Sequence, residues 1–376
     1  MYCQVWWGTL LTPKNSPPIC RLVWIGLAAF CASACQSWNP ALSHTPSTAH
    51  IVSEGLIDCF QPVRSASSKP IFCEASAVVK QGNSLIFLSD KPLLSGSPGF
   101  SVKLNGFLPE LGTSVPVQGN AIKAASKFEA ITQTPDQQFI IATTAFDRFD
   151  PENSQWDQYN TLLVWPADSP ENAKPINPST RNGITSSLAI RKALESYLGA
   201  PYFKLEGLTL LPDNGLVLGI REIGNNHQDF AYRILMISAR LEKSPAGEFS
   251  VDLATLTTIL DYTPPDSLGL DSNLGISSIE AIPGTYQLYF TTSHEEGEDF
   301  SAYLWEWNTL ASDHPPKLLR EKTGSPLRFN HKAEGIAVLD AHHLFIVHDD
   351  DRKTGGQPFR QPHQAPYSII ELDDFH

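Results

Sequence analysis

Five times the chain writes a glutamate, a small residue and usually an aliphatic, then a turn, then an apolar run that stops at a charged residue. The copies run from Glu74-Ala75-Ser76 to Ser89-Asp90, Glu129-Ala130-Ile131 to Asp147-Arg148, Glu206-Gly207-Leu208 to Arg221-Glu222, Glu280-Ala281-Ile282 to His294-Glu295, and Glu334-Gly335-Ile336 to Asp349-Asp350. Their glutamates lie 55, 77, 74 and 54 residues apart. A period of that size marks a propeller or solenoid, in which each unit buries its apolar face only against its neighbours.

The second and third copies show what the unit is. Residues 128–134 and 139–144 flank Pro135-Asp136-Gln137-Gln138, and residues 208–211 and 216–220 flank Pro212-Asp213-Asn214-Gly215; a turn between two β-rich runs is a hairpin. Each copy has a further apolar run, at 100–104, 159–165, 232–238, 303–307 and 367–372, and segments 249–260 and 316–319 read as outer strands. Four antiparallel strands repeated about an axis make a β-propeller, all-β, with five blades on the literal count and six as the alternative. The last copy ends on its third strand, so segment 51–57 is expected to complete that blade and remove two open sheet edges. One helix is inserted near 187–198, with Ile190, Ala193, Leu194, Tyr197 and Leu198 on one face and Gly199 and Pro201 beyond its end; it is expected to cap one side of the propeller.

Residues 1–34 read as a leader, with Lys14 and Arg21 before a short apolar stretch that ends Ala32-Ser33-Ala34-Cys35. This fits a signal-peptidase site or a degenerate lipobox with Cys35 as the acylated residue. Residues 35–50 read as a flexible tether and 51–376 as one propeller domain. The expected location is periplasmic, or anchored to the outer membrane through the lipid alone. The formal charge of −13 becomes about −15 once the two leader cations go, and no basic cluster exists, which argues against nucleic acid as a partner. Beyond the leader and Cys35 only Cys59 and Cys73 remain. In an oxidising compartment they are expected to form a disulfide, the alternative being two buried thiols.

The two ends of an antiparallel hairpin lie together, so the repeated glutamates and the hairpin-closing acids are expected on one face. Glu74, Glu129, Glu206, Glu280 and Glu334, with Asp90, Asp147, Glu222, Glu295, Asp349 and Asp350, would converge on the mouth of the central channel. Like charges this close need compensation. Lys127, Lys204 and Lys332 each precede a glutamate by two residues, the spacing that puts side chains on one side of a strand, and Arg148, Arg221 and Arg352 add cations. One reading is an ion-pair lattice between blades; the other is a divalent cation, above all Ca²⁺, held by carboxylates. The small residue after each glutamate fits crowding of inner strands at the axis.

The hairpins Lys204-Leu205-Glu206-Gly207-Leu208 to Gly219-Ile220-Arg221 and Glu334-Gly335-Ile336 to His348-Asp349-Asp350 resemble those of exported bacterial β-propellers related to the phytase-like esterases. The resemblance spans about residues 70–375. Gluconolactonase-type propellers also open an inner strand with Glu-Gly and place that glutamate on a divalent metal; Glu206 and Glu334 match. Such families hydrolyse lactones or phosphoesters with metal-bound water. The resemblance therefore implies a metal-assisted hydrolase of an ester, lactone or phosphoester, a cation on Glu206, Glu334, Asp349 and Asp147, Arg221 and Arg148 orienting a small anionic substrate, and His294 or His348 moving protons. The bland reading of those histidines is surface residues in loops. A second functional reading is a non-catalytic propeller that binds a glycan, peptide or envelope protein, favoured if Trp156, Trp305 and Trp307 share an exposed face. A monomer is expected.

Overall fold

The computed structural model describes residues 47–62, 70–296, 299–311, 313–350 and 360–373. Within them the repeats form five antiparallel sheets arranged as a five-bladed propeller. The inner hairpins are Ala75–Gln81 with Ser84–Ser89, Phe128–Gln133 with Phe139–Thr144, Tyr202–Leu210 with Gly215–Asn226, Gly275–Ala281 with Gln287–Glu296, and Ala333–Val338 with His343–His348. Third strands follow at Gly99–Asn105, Leu162–Pro166, Asp229–Lys243, Asp299–Asn308 and Gln364–Leu372.

The N-terminal strand Ala49–Asp58 pairs antiparallel with Gln364–Leu372 and completes the fifth blade, as expected. The expected tether overlaps this strand at Ala49 and His50, and Thr48 just before it bridges Arg320; residues 35–46, Cys35 among them, and the leader lie outside the described residues. Cys59 and Cys73 form the expected disulfide. It ties the end of the closing strand to the entry of the first inner strand, so the covalent link sits where the ring would open. Among the described residues no helix is long and apolar enough to cross a membrane.

Apolar side chains fill the five gaps between blades. Leu88 and Val79 meet Phe128 and Trp165; Ile141 and Val164 meet Leu205 and Leu218; Val217 and Met236 meet Phe290 and Trp305; Leu304 and Phe329 meet Ile336 and Ile346; Phe345 and Val347 meet Val78 and Phe87. The last cluster returns to the first blade, so the ring is closed by packing as well as by the strand. Burying one such side chain is worth about 1.5–3 kcal/mol, which makes these interfaces the main source of stability. The sixth blade has no place. The long second interval holds a two-stranded ribbon, Ser179–Arg181 with Ile184–Ser186, and a helix, while the third is used up by the extended strands of blade three.

That helix, Leu188–Leu198, ends in a left-handed Gly199 whose N–H donates to the Glu195 carbonyl. Ile190 and Leu194 enter the core between blades two and three. Tyr197, expected on the buried face, is 41% exposed and its hydroxyl accepts from the Thr258 N–H at 2.7 Å. Arg191 is buried instead, at 2% exposure.

Inner strands crowd the axis as expected. A Cβ on Gly207 would lie 2.6 Å from Ile279, and one on Gly335 would lie 2.7 Å from Val347 and 3.0 Å from the Val78 nitrogen.

Candidate functional site

The inner hairpins share a β-bulge near their open end, and it decides which side chains are equivalent. The ladder slips between Phe128 and Ala130, Leu205 and Gly207, and Ala333 and Gly335. Glu129, Glu206 and Glu334 therefore occupy the bulge, where an extra residue is turned out of the ladder. In blades one and four the slips fall between Ala75 and Ala77 and between Ile276 and Ser278, so the matching residues are Ser76 and Ser277. Glu74 corresponds to the lysine position two residues earlier, and Glu280 lies three residues further along its strand. The five-fold glutamate repeat read from the sequence is a three-fold structural one.

All five glutamates are nevertheless buried, at 1–4% exposure. Three of them are threaded on a continuous chain of ion pairs across blades two to five. Lys127 lies 2.5 Å from Asp147 and 3.6 Å from Glu129. Lys204 lies 3.4 Å from Glu129 and also pairs with Glu206. Arg221 is 3.2 Å from Glu206 and 3.0 Å from Glu295, and Lys332 is 2.9 Å from Glu295 and 2.5 Å from Glu334. This is the lattice that the lysine spacing predicts. Lys127 joins it with a left-handed backbone, φ 64°, a conformation uncommon for a side-chain-bearing residue and worth notice at a site.

Protonation follows from this sequence of charges. Burial pushes the Glu129 carboxyl up to about 7, only partly offset by Lys204 and Lys127. Burial likewise carries Glu334 well above the carboxylate range, with Lys332 opposing. Burial disfavours charge on Glu206 too, but Arg221 and Lys204 outweigh it and the carboxyl lies below its usual range. Against burial, Lys332 and Arg221 hold Glu295 down to about 2. Burial would discharge Lys204 and Lys332, yet their carboxylate neighbours keep both amines charged well above the lysine range.

The remaining expected site residues separate. Arg221 is enclosed, donating to the hydroxyls of Ser277 at 2.6 Å and Ser293 at 2.7 Å as well as facing its carboxylates, so it braces blade three against blade four. His294 is buried rather than on the surface, with Nδ1 2.6 Å from the Ser272 carbonyl. His348 is also fully buried, with Nε2 2.9 Å from Ser368 Oγ; burial and then the neighbouring His331 lower it to about 3, so it stays neutral. Asp350 accepts from the Lys332 N–H at 3.1 Å and sits 2.7 Å from His331 Nδ1. Asp349 is buried beside Glu334, whose pKa it helps to raise. Glu74 pairs with Lys91, which is 3.8 Å from Asp90. Glu222 accepts from the Tyr202 hydroxyl. Arg352 lies outside the described residues.

Two of the matched metal positions, Glu206 and Glu334, thus face cations, and among the described residues no group of three or more His, Cys, Asp or Glu is placed to hold a metal ion. Oxygen ligands already engaged by lysine and arginine do not fit a site for a hard divalent cation.

What the mouth does offer is a cleft of about 790 Å³ over blades two and three. Its polar lining includes Lys127, Asp147, Lys204 and Glu222, and its aromatic lining is Phe149, Trp156, Tyr202 and Phe230. Trp305 and Trp307 are core residues at 0% and 3% exposure, so only Trp156 of the three tryptophans reaches this face. The wall carrying Arg148, Phe149 and Trp156 is pinned by Arg181, whose Nε donates to buried Asp157 at 2.8 Å and whose Nη1 and Nη2 donate to the carbonyls of Pro151 and Asp150 at 2.7 and 2.8 Å. Arg148 stacks over Tyr159 and Trp156, 4.6 and 5.3 Å from the ring centres. The aromatic set and Arg181 carry no repeat signal, because they belong to insertions and strand ends of two blades.

No family model and no curated protein matches the chain. Among solved structures it is similar to the catalytic domain of a GH62 α-L-arabinofuranosidase from Coprinopsis cinerea, at 10% identity and TM-score 0.43 over 84% of this chain and 95% of that one. A thermostable family-43 glycoside hydrolase gives 10% identity and TM-score 0.43 over 81% and 90%. A DUF4623 family protein from Bacteroides eggerthii gives 8% identity and TM-score 0.41 over 88% and 77%.

Proposed function

We propose that the protein is a ligand-binding propeller whose cleft over blades two and three takes a sugar-sized or short oligosaccharide ligand. One observation carries this reading. Four aromatic side chains from three segments, Phe149 and Trp156, Tyr202, and Phe230, surround a cleft of about 790 Å³, within the size range of small-molecule sites. Aromatic faces bury apolar faces of a sugar ring, while the interspersed charged and amide groups satisfy its hydroxyls. The channel-mouth carboxylates act below it as a lattice that holds blades two to five in register.

The test is a panel of neutral and acidic oligosaccharides titrated calorimetrically against the intact protein, repeated with Trp156→Ala. Binding weakened at least tenfold in the variant supports the cleft. Undiminished binding, or none by the wild type to any member, rules it out.

A second reading is hydrolysis of a glycosidic or ester bond, favoured by Glu129. Its carboxyl titrates near 7, the range in which a group can both give and take a proton, and it contacts Lys127 and Lys204, which line the cleft. Turnover of the same panel or of p-nitrophenyl esters, lost in Glu129→Gln, would establish it. Export, with or without a lipid on Cys35, belongs to the same proposal; a disulfide is at home in an oxidising compartment.

A further inference from the structure

Arg191 is the cleft residue whose chemistry is least accounted for. It comes from the helix Leu188–Leu198, is 2% exposed and lines the cleft. Its Nη2 donates to the Pro201 carbonyl at 2.5 Å, and its guanidinium lies over the Phe203 ring at 4.1 Å. Nε and Nη1 are buried with no hydrogen-bond partner, and the Glu195 carboxylate stays 3.9 Å away. A buried guanidinium with two of its three nitrogens unsatisfied is unfavourable unless something else compensates it.

The surroundings point the same way. In a chain of net charge −13, this cleft is lined by Lys127, Arg148, Arg191 and Lys204 against only Asp147 and Glu222. Lys127, Lys204 and Arg148 each have a carboxylate within 3.7 Å. Arg191 has only the longer 3.9 Å pair from Nη2 to Glu195, which leaves its Nε and Nη1 without a bond beside the cleft.

Building on the cleft assignment, we propose that its ligand is acidic, and that an oxyanion on it, carboxylate or phosphate, is anchored by Arg191. Since the free nitrogens are shielded from water, the guanidinium must shift along the Phe203 ring to receive the anion, and the charge-assisted bonds formed exceed neutral ones in strength.

Wild-type protein, Arg191→Gln and Arg191→Lys are titrated with a neutral trisaccharide, an oligogalacturonide of the same length, and a sugar phosphate. The expected result is at least tenfold tighter binding of one acidic probe than of the neutral one. Arg191→Gln should weaken the acidic probe at least tenfold more than the neutral one, and Arg191→Lys should restore part of the preference. Whether galacturonide or sugar phosphate gains tells carboxylate from phosphate. Equal wild-type affinity for acidic and neutral probes overturns the acidic ligand and leaves the cleft standing; an equal loss for both in Arg191→Gln overturns Arg191 as the anchor and makes it structural. Failure of every probe removes the cleft assignment and this inference with it. Should Arg191→Gln not fold, the wild-type acidic-to-neutral ratio decides.

Discussion

The Thr132 hydroxyl of blade two donates to Glu280 Oε2 of blade four at 3.1 Å, a bond between blades that are not neighbours in the ring. It places Glu280 in the channel itself, away from the lattice at the mouth.

Burial carries the Glu280 carboxyl well above its ordinary 4.5, with the Thr132 hydrogen bond opposing. The folded state therefore binds this proton more tightly than the unfolded chain. The stabilisation is complete below about pH 4.5 and is lost as pH rises toward the folded value. Glu280→Gln keeps the acceptor and removes the charge, so it should raise stability at pH 8 and make little difference at pH 4. Urea unfolding at the two pH values measures this; a variant that is weaker at pH 8 would mean that Glu280 is ionised and compensated.

Glu129 obeys the same sign over a defined window. Its contribution is whole below 4.5 and disappears as pH passes about 7. Glu129→Gln should flatten the fall in stability across that interval by on the order of 1–3 kcal/mol. Carboxyl-carbon NMR titration should find a resonance with a midpoint near 7 that is missing in the variant.

Lys204 holds two buried carboxylates from adjacent blades. Replacing one partner of a buried pair strands the others, typically for about 3–5 kcal/mol. Lys204→Met should cost about that at pH 7 and less at pH 5, where Glu129 is protonated. Chemical denaturation reads both values, and a loss under 1 kcal/mol would show the lattice to be ornamental to stability.

Gly207 lies where a methyl group would meet Ile279 at 2.6 Å and the Gly219 Cα at 3.2 Å. Gly207→Ala should destabilise by about 1–3 kcal/mol through overpacking, seen as a lowered Tm. Combining it with Ile279→Val should recover part of the loss, because the clash is with that side chain.

The Cys59–Cys73 disulfide closes a separation of 14 residues, for which loop closure is worth about 3 kcal/mol. Cys59→Ala with Cys73→Ala should lose about that much. Hydrogen exchange should rise first in strand Ala49–Asp58 and its partner Gln364–Leu372, the last elements to complete the ring.

The blade count, the N-terminal closing strand and the alternating lysines and glutamates are properties of local pattern, and these residues show them without coordinates: hairpin turns such as Pro212-Asp213-Asn214-Gly215 mark the units, and Lys204 two places before Glu206 predicts their pairing. Equivalence among the glutamates is different. A bulge adds one residue to one strand, and side chains alternate with a period of two, so a slip of a single position separates Glu74 and Glu280 from Glu129, Glu206 and Glu334 while leaving the written motif intact. Burial of Arg191 was equally hidden, because a helical stripe shows which residues are apolar and not which charged neighbour the adjoining blades will enclose. Local hydrophobic order therefore determined the ring, whereas the positions and charge states at its mouth were decided by contacts between strands far apart in the chain, where desolvation and ion pairing depend on the partner across the gap.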